Sequence, residues 1–76
     1  MTTQDCADIL NALAGERIFD DRMIRQRVED GELACVNPHR GRRERAIITA
    51  RDFCAYVAKR HPQYLEDVRE RLNIAA

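Results

Sequence analysis

Cys6, Ile9, Leu10 and Leu13 recur at the three- and four-residue spacing of a single helical face. Ahead of them Thr2 or Thr3 is placed to cap a helix, with Asp5 as the capping-box partner of Thr2. The pattern predicts a first helix near residues 4–14, stopped by Gly15. Glu16-Arg17 reads as a loop leading to the apolar pair Ile18-Phe19. Asp20 or Asp21 then caps a second helix running to about Asp30, where Gly31 supplies a left-handed terminating residue. On that helix Ile24 and Val28 face one way, while Arg22, Gln26 and Glu29 face the other with Arg25 beside them. Phe19 before the cap and Met23 or Ile24 after it suit a hydrophobic staple.

The period then changes. Leu33–Val36 and Ala46–Thr49 are short runs containing β-branched residues, separated by Asn37-Pro38 and an Arg-Gly turn, which predicts a small β-hairpin. Its tip is the sequence His39-Arg40-Gly41-Arg42-Arg43-Glu44-Arg45, expected to face solvent because so short a loop cannot satisfy four buried guanidiniums. Thr49, with Asp52 three residues on, caps a further helix whose stripe is Phe53, Tyr56 and Val57, read as core rather than as a base-stacking platform. This helix ends near Arg60, since Pro62 disfavours helix at His61. Pro62 also suits the first turn of a last helix lined by Leu65, Val68 and Leu72, a stripe that either completes the core or mediates self-association. The expected fold is therefore mainly α with a small β-hairpin, in the order helix, helix, hairpin, helix, helix. A chain of 76 residues supports one core, so residues 1–76 form a single domain.

Composition excludes several classes. No apolar run approaches the roughly 18 residues of a membrane span, and the start Met-Thr-Thr-Gln-Asp lacks the basic and apolar regions of a signal peptide, so a cytoplasmic location is expected. Cys6, Cys35 and Cys54 are odd in number and widely spaced, which favours buried thiols in a reducing compartment; a zinc site built from them with His39 and His61 is disfavoured by the spacing. No Gly-rich phosphate loop, nucleophile elbow or paired metal ligands are present, and neither enzymatic activity nor a cofactor is expected. His39 reads as a loop hydrogen-bonding residue and His61 as a helix-end residue.

Charge changes the picture more. Thirteen basic and thirteen acidic side chains cancel, but residues 1–21 carry a net −4, residues 22–60 a net +5 and residues 61–76 a net −1. A ligand meets the local field, because charges beyond about 8–10 Å are screened. Twelve of the thirteen cations are Arg, whose planar fork fits phosphate oxygens and guanine edges. A helix with a basic outer face followed at once by an arginine-tipped loop is suited to duplex DNA. The helix enters a major groove about 12 Å wide while the loop reaches adjacent backbone or minor groove.

Phe19-Asp20, Ile24-Arg25-Gln26, Val28, Gly31-Glu32-Leu33, the Arg40-Gly41-Arg42-Arg43 string, Ile48, and Phe53, Tyr56 and Val57 together resemble the winged helix-turn-helix of MerR-type regulators and excisionases. The resemblance covers roughly residues 4–58. It implies a recognition helix at about 21–30, a wing at about 37–45, and binding to operators or attachment-site repeats. With no long dimerising coiled coil after residue 60, the excisionase-like branch fits better.

The expectation is a small double-stranded DNA-binding protein acting in DNA recombination or transcription regulation, associated with the nucleoid. Arg22, Arg25 and Gln26 are the candidate base readers, and Arg40, Arg42, Arg43 and Arg45 the candidates for backbone or minor groove. A single module makes few contacts, so self-association on repeated sites is expected, with a recombinase or regulator as a further partner. The alternative is an adaptor or anti-repressor that keeps a DNA-binding-like fold and grips a protein through its acidic first helix and its last helix, a reading motivated by Asp5, Asp8, Glu16, Asp20 and Asp21.

Overall fold

In the computed structural model, which describes residues 1–73, four α-helices and one 3₁₀ turn surround a single core. Helix α1 (Thr3–Ala14) opens with a closed capping box: Thr2 Oγ1 accepts from the Asp5 N–H at 3.1 Å, and Asp5 Oδ2 accepts from the Thr2 N–H at 2.9 Å. These bonds hold the Asp5 carboxyl below its ordinary range. The helix ends at Gly15, whose φ of +74° is a conformation that residues with a Cβ rarely adopt. Helix α2 (Asp21–Glu29) is capped by Asp20, whose carboxylate accepts from the Met23 N–H at 2.7 Å. It ends as the sequence indicates, with Gly31 left-handed at φ +79° and the N–H groups of Glu32 and Leu33 donating to the Arg27 carbonyl.

Helix α3 (Ala50–Arg60) begins at the expected cap, with Thr49 Oγ1 accepting from the Asp52 N–H at 3.0 Å. It stops before Pro62, which opens the 3₁₀ turn Pro62–Tyr64, and α4 (Leu65–Arg71) follows. Phe53, Leu10, Ile24, Leu33, Ile48, Val57, Val68 and Cys6 are fully buried, so all four helices and the connection between α2 and α3 contribute to one core. Val68 is buried and Leu65 and Leu72 pack half-buried beside it, so the last helix completes that core. Phe53 and Tyr56 are likewise core residues.

The expected hairpin is not formed, and with it goes the winged helix-turn-helix architecture: among the described residues there is no strand. The two runs do approach each other, but only one backbone hydrogen bond joins them, from the Val36 N–H to the Ile47 carbonyl at 2.8 Å. Pro38 has no N–H to extend a ladder, and the Asn37 side chain takes the partners a second strand would have used. Its Nδ2 donates to the Arg45 carbonyl at 3.0 Å and its Oδ1 accepts from the Ile47 N–H at 2.9 Å. Extended geometry survives beyond it, with Ala46 and Ile48 buried and Ile47 exposed, but Ile48 pairs with Met1 instead. Residues 37–47 are therefore a loop pinned by one amide.

Candidate nucleic-acid interface

Thr3, the first residue of α1, is buried and donates its hydroxyl to the Asp21 carboxylate, which fixes the start of α2 against α1. At about 100° per residue, Asp21, Arg25 and Glu29 then form one stripe along α2. That stripe is one wall of a groove of about 720 Å³, and the loop residues Arg40, Arg42, Arg43, Glu44 and Arg45 form the other. The first turn of α1, Thr2 to Gln4, closes one end.

Five of the sequence-predicted site residues, Arg25, Arg40, Arg42, Arg43 and Arg45, thus come together around one space. The other two do not: Arg22 and Gln26 are exposed on α2 but lie outside the groove, about 60° and 100° around the helix from Arg25. Gln26 donates its amide to Asp30 at 2.9 Å.

Carboxylates that sequence reasoning placed elsewhere share this space. Asp21 sits 2.9 Å from Arg25 Nε, and Glu29 sits 2.9 Å from Arg40 Nη2, which also lies over the Cys35 sulfur through its Nη1 at 3.7 Å. Arg25 has 61% of its side chain exposed and Arg40 only 17%, so Arg25 is the more available of the two paired cations. Arg22, Arg42, Arg43 and Arg45 have no carboxylate partner among the described residues. With Glu44 also on the wall, five guanidiniums face three carboxylates and the groove keeps a net positive charge. Helical spacing offers Arg25 a partner in Glu29, four residues on, but the structure pairs it with Asp21, four residues back. Glu29 with Arg40 bridges eleven positions and had no local signal, nor did the role of Asn37 in pinning the loop.

The opposite flank of α2 is different in kind. Met23, Ile24 and Arg27 line a smaller cavity of about 240 Å³ with Phe19, Tyr56, Arg60 and His61. Arg27 and Arg60 share Glu32 there at 3.3 and 3.2 Å. His61 is ringed by Phe19, Tyr56 and Tyr64, and burial, helped by the Arg60 charge, lowers its pKa. Among the described residues no cluster of His, Cys, Asp and Glu could hold a metal ion, and the three cysteines are free thiols. Burial pushes the Cys6 thiol up to about 12 and raises Cys54, which makes both poor nucleophiles. No described helix is long and apolar enough to cross a membrane.

No family model matches the chain, and neither a curated protein nor a solved structure matches it.

Proposed function

We propose that the chain binds double-stranded DNA through the exposed side of α2 and the arginine loop after it. The observation that carries this reading is the groove itself: Arg25 from the helix and Arg40, Arg42, Arg43 and Arg45 from the loop line one cationic space, though they lie up to twenty positions apart. Arg42, Arg43 and Arg45, without carboxylate partners among the described residues, supply phosphate contacts, and Arg22 and Gln26, exposed on α2 beside the groove, reach base edges. The pattern shared with MerR-type regulators and excisionases supports the same polyanion, with a pinned loop in place of a wing. Such a factor serves DNA recombination or transcription in the nucleoid, binding repeated sites cooperatively and alongside a recombinase or regulator.

The adaptor reading is less well supported, because four of its five acids, all but Glu16, are engaged locally. Asp5 and Asp20 cap helices, Asp21 holds Thr3 and Arg25, and Asp8 accepts from Gln4. A gel shift on genomic and scrambled duplexes at two salt concentrations separates the readings. DNA binding predicts retardation that weakens steeply with salt, whereas an adaptor gives no retardation at either salt.

A further inference from the structure

We propose that the groove is a clamp for one sugar-phosphate strand of the duplex, with Arg25 as one of its jaws and not a base reader. This rests on the DNA-binding reading above and assigns the work within it. Base edges lie at the floor of a major groove about 8.5 Å deep, so only side chains on a convex ridge reach them. Arg22 and Gln26 are exposed on α2 outside the groove; Arg25 lines its wall.

The guanidinium of Arg25 is also set for phosphate. Its Nε is tied at 2.9 Å to Asp21, one turn toward the N-terminus of α2, and Asp21 is itself held by the Thr3 hydroxyl. The side chain is thereby drawn back along the helix instead of projecting outward. The ion pair is made at Nε and leaves the four N–H groups on Nη1 and Nη2 to donate into the groove.

The other walls suit the same occupant. Arg42, Arg43 and Arg45 line the same space as Arg25, on the loop that forms its other wall. Five arginines against three carboxylates leave a charge of +2, which matches about two consecutive phosphates of a strand carrying one charge each.

The test compares two duplexes, one selected by the wild-type chain from a randomised pool and the unselected pool itself, by fluorescence anisotropy across a salt series. Arg25→Ala is expected to weaken both duplexes by the same factor, about tenfold, and to lower the salt slope by about one. Arg25→Lys, which keeps the charge but not the planar fork, weakens both duplexes equally and by less than Arg25→Ala. Arg22→Ala and Gln26→Ala instead narrow the ratio between selected and pool affinity. Arg25 is largely exposed, and far-ultraviolet circular dichroism confirms that the variants fold. Loss of the selected-to-pool ratio on Arg25→Ala would overturn the clamp, as would unchanged binding of both duplexes. A wild-type chain with no salt-dependent binding to either duplex is a separate result that removes the DNA-binding reading as well.

Discussion

Two asparagines close the two long connections on either side of α2, and they do so by the same device. Asn11 donates from Nδ2 to the Phe19 carbonyl and accepts at Oδ1 from the Phe19 N–H, both at 2.7 Å. Asn37 gives and takes the same pair of bonds with the Arg45 carbonyl and the Ile47 N–H at 3.0 and 2.9 Å. In each case an amide side chain imitates a neighbouring strand. The difference lies in what is fixed. Asn11 holds Phe19, which packs on the core and against the His61 ring at a centroid distance of 5.2 Å. Asn37 holds the neck of a loop whose arginines are mostly exposed and make few contacts with the rest of the chain. One connection is packed into the folded body; the other is a cationic loop held at its neck by Asn37 and tied to α2 through Arg40 and Glu29.

The largest consequence is expected at Asn11. Asn11→Ala leaves a half-buried N–H and carbonyl without their partners and loosens the Phe19 anchor, for a loss of about 2 kcal/mol in urea unfolding. A loss no larger than at Asn37 would erase the contrast between the two connections. Asn37→Ala exposes the same two kinds of group to water, so about 1 kcal/mol or less is expected in stability. Its effect is on function: the loop loses its pinned geometry, and affinity for selected and pool duplexes falls together. Unchanged DNA affinity with a stability loss like that of Asn11→Ala would mean that the loop belongs to the core after all.

A smaller effect distinguishes the connections by pH. His61 packs on Phe19, and burial, reinforced by Arg60, lowers its folded pKa below its unfolded value. The unfolded chain therefore binds the proton more readily. This contribution to stability is fully present above the unfolded pKa of about 6.5 and is lost as pH falls from there toward the folded value. His61→Gln should flatten the urea midpoint over that window without altering DNA affinity at pH 7.5. A pH response of equal size in the variant would place the titrating group elsewhere.

The helices were readable because their ends carry local chemistry: Thr2 with Asp5, Asp20, Thr49, Gly15 and Gly31 each act within a few residues of where they stand. The hairpin was misread because β-branched runs such as Ala46–Thr49 favour extended backbone without fixing the identity of the pairing partner. Asn37-Pro38 was visible as a turn signal, but that the Asn37 amide would capture Arg45 and Ile47 depends on contacts eight and ten residues away. Similarly, the basic face of α2 and the arginine string were legible as charge. That Asp21 and Glu29 stand in the groove among those arginines was not, since it follows from how the loop folds back over α2.

Arginine side-chain Nε–Hε signals of the ¹⁵N-labelled chain, followed during titration with duplex DNA at low salt, report on the groove most directly. Shared engagement of one polyanion predicts that Arg25, Arg42, Arg43 and Arg45 shift together and saturate at one ratio of DNA to protein, while Arg69 and Arg71 on α4 stay in place. Shifts confined to α4, or a loop and helix that respond at different ratios, would contradict it.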